Sequence, residues 1–235
     1  MKVSISWLKQ LVELNCSVSE LVNILPLRSI STKEITDEFI ELDMKGYNRS
    51  DLLSITGVAK EISAITGSKF LYSEPQEAKY VWDELKLPNT QVEVENPNLA
   101  PFYTITKIEG LTVGKSSPEV IKRLEDCGIR SIDNITDITN LIMLEYGQPL
   151  HAFDADRVRG EVRVRVAKEG EKITTIDGKI RVLNEDDLVI ADEREPIGIA
   201  GIMGGKDSEI SSSTTNILLE AAIFDPINIR ESAIR

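Results

Sequence analysis

A chain of 235 residues with 41% hydrophobic and 28% charged residues holds enough apolar material for one large core or two modest ones, unlike a disordered segment. Its net charge of −12 argues against a general nucleic-acid-coating surface, and no apolar run approaches the roughly 18 residues of a membrane-spanning helix. The amphipathic start MKVSISWLKQLVEL, interrupted by Glu13, lacks a signal peptide's apolar core, and the widely separated Cys16 and Cys127 read as free thiols of a cytoplasmic protein.

Apolar spacing over residues 6–25 predicts two short helices, the second capped at Ser17 or Ser19. Phe39, Ile40 and Leu42 predict a strand over 38–43. Residues 48–51 predict a helix start, with Leu52, Ile55, Val58, Ala59, Ile62 and Ile65 along one face and Gly67 as its end. Residues 1–70 are thus expected to form a small α+β module. Residues 71–90, acidic and weakly patterned, with Glu74-Pro75 and Pro88-Asn89 as punctuation, are expected to be a linker that could carry a short helix.

Residues 91–235 are expected to form the larger domain. Strands are predicted at 91–95 and 103–109. Ser117-Pro118-Glu119 starts a helix that points Val120, Ile121 and Leu124 inward and stops at Gly128. A second helix is predicted over 133–144. After Gly160 the chain turns strand-rich, with Asp177-Gly178 as a hairpin turn. Strands, two helices, then many strands predict an α+β fold with mixed or antiparallel sheets.

Two local basic groups could receive a single RNA end despite the acidic total. One is Lys122, Arg123 and Arg130; the other is Arg157, Arg159, Arg163 and Arg165. The second also reads as a solvated strand face, since Arg163 and Arg165 alternate with Val162, Val164 and Val166. The stretch GIRSIDNITDITNLIMLEYGQPLHAFD over 128–154 packs many polar groups among apolar ones and holds the single histidine, His151. Such groups need partners when buried, so the stretch is either a hydrogen-bond network or a pocket.

The words CGIRSIDNITDITNLIMLEYGQPLHAFD, GEVRVRVAKEGEKITTIDG, LVIADEREPIGIAGIMGG and TTNILLEAAIFDPINIR resemble, in the same order, the editing domain of the bacterial-type phenylalanine–tRNA ligase beta subunit. SISWLKQLVEL and ELDMKGYNRSDLLSITGVAKEIS resemble that subunit's N-terminal module. The resemblance covers most of the chain; residues 71–92 carry least of it. It implies the N-terminal portion of a longer chain. Two departures stand out: residues 26–37 leave no room for the oligonucleotide-fold insertion common in bacterial relatives, and MKGYNR replaces a tighter proline-containing turn. The first removes any basis for expecting anticodon-side contacts through that module.

In the family, the domain hydrolyses tRNA for phenylalanine that carries tyrosine. The two amino acids differ by one hydroxyl, which an apolar synthetic pocket rejects only about a hundredfold. A second pocket that hydrogen-bonds the hydroxyl can select the error instead. The resemblance assigns Glu220 to the tyrosine hydroxyl, Gly201 with Ala200 to the aromatic ring, and Thr139 and Asn140 to the aminoacyl and ribose end. It assigns Arg130 to the tRNA end and His151 to a position near the ester. Each residue also has a plain structural reading: a paired buried Glu220, a glycine turn, helix-bonded Thr139 and Asn140, an ion-paired Arg130.

His151 is expected to position substrate or water rather than act as general base, with water attack assisted by a ribose hydroxyl and fixed dipoles. No metal is expected at the site. ATP and magnesium would serve the parent ligase, whose alpha subunit carries synthesis. The implied partners are the acylated tRNA 3′ end and that alpha subunit, with no membrane. A non-catalytic structural or RNA-binding module and a free-standing deacylase are the alternatives.

Overall fold

The computed structural model describes residues 1–46, 48–72 and 92–234, and its packing resolves two compact units, Met1–Leu85 with Lys115–Pro149 and Lys86–Gly114 with Leu150–Arg235. Both mix helices with largely antiparallel strands, the α+β class expected. The expected linker at 71–90 lies almost wholly outside the described residues. Leu71 and Tyr72 are described and belong to the first unit, where Leu71 N–H donates to the Leu11 carbonyl.

In the first unit, β1 (Lys2–Ser4) runs into α1 (Ile5–Leu11), whose first turn is capped by the Ser4 hydroxyl accepting from Trp7 N–H. β2 (Val12–Glu13) leads to α2 (Val18–Arg28), opened by a reciprocal box in which Ser17 and Glu20 satisfy each other's backbone N–H. Ser17, not Ser19, is the cap, and the helix continues through Pro26 to Arg28. β3 (Thr32–Ile35), which the sequence pattern does not announce, pairs with β4 (Phe39–Leu42), and β1 completes an antiparallel sheet in the order β1-β4-β3.

α3 (Ile55–Thr66) begins later than predicted. Residues 50–53 form a separate 3-10 turn, and Ser54, with extended φ −135° and ψ 150°, caps α3 by accepting from Gly57 N–H. A Cβ at Gly57 would collide with the Asp51 carbonyl, so the fold-back requires glycine there. Gly67 ends α3 with φ 70°, and β5 (Lys69–Phe70) pairs with β2.

The two helices expected inside the second domain belong to this first unit. α4 (Pro118–Asp126) and α5 (Asn134–Tyr146) bury Leu124, Cys127 and Leu144 in the same core as Trp7, Leu8, Val58 and Ile62. Buried Asp126 of α4 accepts from the Ser4 hydroxyl at 2.9 Å and from Lys122 at 2.9 Å. The compact units are therefore not continuous in sequence as the 70/91 boundaries would have them. Sequence order does not reveal which apolar stripe a helix packs against.

The second unit contains β6 (Val92–Val94), β7 (Phe102–Ile108), β8 (Leu150–Asp154), β9 (Val162–Val166), the hairpin β10 (Lys172–Thr174) and β11 (Ile180–Val182), β12 (Leu188–Ala191), β13 (Pro196–Ile199), β14 (Met203–Gly204), β15 (Ile217–Ile223) and α6 (Pro226–Ile234). A five-stranded sheet runs β14-β13-β12-β9-β6, with β6 parallel to β9 and the other pairs antiparallel. A three-stranded antiparallel sheet runs β7-β15-β8. Val162, Val164, Leu188, Ile190, Phe153 and Leu218 share one core, which α6 joins through Ile229.

Of the arginine run, Arg163 and Arg165 lie on the β9 strand, and Arg157 and Arg159 precede it. Val162 and Val164 are buried, while Arg163 pairs with Glu161 and Glu93 and Arg165 with Glu171 at 2.8 Å.

Candidate active site

The second unit places Glu220 at the centre of the three-stranded sheet. Side chains alternate along a strand, so Leu218, Glu220 and Ala222 of β15 share the face turned to the core. Glu220 is paired directly with His151 of β8 and with Ile105 of β7, and opposed residues of antiparallel strands hold their Cβ atoms about 5 Å apart on the same face. Tyr103 stands two residues along β7, opposite Ala222. The small Ala222 leaves room for its ring to lean across, and its hydroxyl donates to Glu220 Oε2 at 3.0 Å.

Glu220 is only 8% exposed. Desolvation pushes its carboxyl up to about 7, and the Tyr103 hydrogen bond pulls the other way. Burial and the adjoining carboxyl push the Tyr103 phenol upward in turn. His151 is half-buried, and desolvation lowers its pKa to about 4, so the imidazole is neutral at physiological pH. Its ring stands edge-on to Phe153, with centroids 4.5 Å apart at 77°.

The glycine-rich segment packs against these rings. A Cβ on Gly204 would lie 2.7 Å from His151 Cε1 and Nε2, and one on Gly198 would meet Phe153 at 3.7 Å. Gly204→Ala must therefore displace the His151 ring from its place beside Phe153. The expected cost is about 1–3 kcal/mol, measurable by denaturant unfolding; a variant as stable as the parent with an unmoved His151 resonance would contradict this contact. Gly201 takes φ +64° in the turn that Ile202 N–H closes onto the Ile199 carbonyl. Its own Cβ position faces Phe224 at 3.3 Å and Ile229 at 3.5 Å, and Phe224 lies 6.4 Å from the Tyr103 ring. Ala200 is buried, with its N–H bonded to the Leu188 carbonyl.

Of the residues expected at the site, His151, Ala200, Gly201 and Glu220 lie in the second unit, and Arg130, Thr139 and Asn140 in the first. Thr139 is buried on α5 and donates to the Thr136 carbonyl at 2.8 Å, its plain structural reading. Asn140 is half-buried. Arg130 is exposed and takes part in none of the ion pairs of the described residues, whereas Lys122 pairs with Asp126 and Arg123 with Glu119.

The segment that carries Arg130 is tied down by Asp137. This fully buried carboxylate accepts from the Ser116 and Ser131 hydroxyls, both at 2.6 Å, and from Ile132 N–H at 2.9 Å. Asp133 caps α5 by accepting from Ile135 and Thr136 N–H. The polar density that marked this stretch is thus partly a network internal to the first unit.

Tyr103, Phe153 and Ile176 were not singled out from sequence. Ile176 lies 3.7 Å from the Gly204 Cβ position, beside the His151 ring, and its N–H donates to the Gly204 carbonyl. Alternation in 103–109 puts Tyr103 on one strand face, but its partner carboxyl is 117 residues away.

Two surface clefts of about 370 and 210 Å³ open in this unit, and neither is lined by His151, Gly201 or Glu220. In the larger, Arg157, Arg159 and Arg194 are offset by Asp156, Asp192 and Asp207. Burial pushes the Cys127 thiol up to about 11, which makes it a poor nucleophile.

The chain belongs to the B3/4 domain family, which matches residues 99–235. It is 45% identical over 205 residues to the phenylalanine–tRNA ligase beta subunit of Carboxydothermus hydrogenoformans, covering 85% of this chain and 25% of that protein. It is 47% identical over 189 residues to that of Geobacter sulfurreducens, covering 80% and 23%. The chain thus spans about a quarter of the length of these curated relatives. Among solved structures it is similar to an N-terminal fragment of the phenylalanyl-tRNA synthetase beta subunit from Pyrococcus horikoshii, at 18% identity and TM-score 0.48, covering 100% of this chain and 72% of that one.

Proposed function

We propose that the chain is the editing portion of a phenylalanine–tRNA ligase beta subunit and hydrolyses the ester of tRNA for phenylalanine that carries tyrosine. The observation that carries this reading is the buried Glu220, paired across the sheet with His151. A desolvated carboxyl strongly favours a ligand that brings a hydroxyl donor over one that leaves it unpaired. The neutral imidazole of His151 has one N–H and one acceptor nitrogen, suited to orienting the ester or the attacking water. A base whose conjugate acid has a pKa of about 4 draws a proton from water weakly at neutral pH, so positioning is its role.

In this reading Arg130, exposed on the first unit, contacts the tRNA. ATP and magnesium belong to the ligase's synthetic step, carried by an alpha subunit partner in the cytoplasm. Among the described residues no group of three His, Cys, Asp or Glu side chains is arranged to hold a metal ion.

The test is incubation of the chain with tyrosyl- and phenylalanyl-esters of the cognate tRNA. Loss of the tyrosyl ester at least tenfold faster than the phenylalanyl ester is expected; equal rates, or none, would defeat the editing reading. His151→Ala is expected to slow tyrosyl deacylation moderately, about tenfold, with the pH profile between 6 and 8 unchanged, because the group lost does not titrate there. A loss of about a hundredfold or more in the variant, with the parent's pH dependence removed, would make His151 the base instead.

A further inference from the structure

Glu220 has two acceptor oxygens, and the protein's own phenol occupies one. Tyr103 holds Oε2 at 3.0 Å, no described residue bonds Oε1, and Oε1 is not among the sealed polar atoms. We propose that Tyr103 is a specificity-determining positioning residue, whose hydroxyl locks Glu220 in the rotamer that offers Oε1 to the hydroxyl of an incoming phenolic side chain. The proposal rests on the editing reading and extends it to a residue that does not itself touch the ester.

Three features support it. A glutamate side chain has three rotatable bonds, so an unanchored carboxyl loses rotamer entropy on meeting a ligand; an anchored one has already lost it. Tyr103 is anchored in turn, its backbone in register opposite Ala222 and its ring beside Phe224. A resident O–H donor at Oε2 also lowers the carboxyl's proton affinity, and so favours the ionised form, the stronger acceptor for a second phenol.

Among the described residues of this sheet, the other titratable group facing Glu220 is His151 on β8. Lys107, further along the same face of β7, is engaged by Glu109 at 2.6 Å. The glycine-rich segment contributes Gly198 and Gly204 to this face, and the segment after β15 contributes Phe224, none of them titratable.

The test is Tyr103→Phe, which keeps the ring and removes only the hydroxyl. Tyrosyl-ester deacylation is expected to fall about tenfold through KM with kcat largely kept, while the phenylalanyl ester is unaffected, so the selectivity narrows. The pH midpoint of tyrosyl preference is expected to move upward, because the donor that favours the ionised carboxyl is gone. Carbon-13 titration of the Glu220 carboxyl in the two proteins reads the same shift without any substrate. A variant with the parent's selectivity and the parent's Glu220 titration overturns this proposal and leaves the editing reading standing. A parent protein that shows no tyrosyl preference overturns both.

Discussion

Glu220→Gln is expected to stabilise the second unit by roughly 3 kcal/mol at pH 8 and to change it little at pH 4. The folded carboxyl binds its proton more tightly than the unfolded one, its pKa rising from 4.5 to about 7 through desolvation. That proton contributes stability fully below pH 4.5, and the contribution is lost as pH rises through 7. At about 1.4 kcal/mol per pH unit the loss amounts to roughly 3 kcal/mol, and a neutral amide does not suffer it. Denaturant unfolding across this pH range, with hydrogen exchange of β15 amides to isolate the unit, reads the difference. Parallel stability curves for the two proteins would mean that Glu220 is not desolvated as described. The same substitution should abolish the preference for tyrosyl esters, since an amide is a weaker acceptor than a carboxylate. A protein that gains stability while losing selectivity is what a strained functional group predicts.

Asp137→Ala is expected to cost the first unit roughly 3 kcal/mol, because it strands three donors in a buried place. Ser116 Oγ, Ser131 Oγ and Ile132 N–H all converge on that carboxylate. The segment bearing Arg130 should loosen with it. Faster hydrogen exchange at the Ile132 amide, together with a lower denaturation midpoint, is the expected signature. An Ala variant within about 1 kcal/mol of the parent, with the Ile132 amide still protected, would show that other contacts hold the segment.

These two carboxylates show why the site was only half legible. Glu220 stood out through the family resemblance, and a carboxyl between apolar residues and alanines is costly in a strand unless something pairs with it. The partner was not legible: Tyr103 looked like an ordinary strand residue. Gly201 with Ala200 was expected beside a ligand's ring; in the fold two glycines of this segment meet the protein's own rings, Gly204 at His151 and Gly201 at Phe224. Asp137 lay in a stretch noted for its polar density, but nothing local distinguished its three-donor role from that of neighbouring Asp133, a helix cap.

What the sequence by itself determined is what short-range chemistry controls. Ser17, Ser117 and Asp133 each start a helix, because a side-chain oxygen satisfies orphan N–H groups within three residues. Gly67 and Gly147 end helices in the left-handed region that glycine enters without penalty, and Asp177-Gly178 turns the β10–β11 hairpin. The tertiary structure alone decided which buried faces meet. α4 and α5 packed with the N-terminal helices because their apolar stripes fit that core, although the chain passes through β6 and β7 first. Strand pairing likewise set Glu220 between Tyr103 and His151, neighbours drawn from opposite edges of one sheet. Hydrophobic burial is non-directional and blind to sequence separation, so the pattern of apolar residues specifies that a face is buried, and only the assembled fold specifies against what.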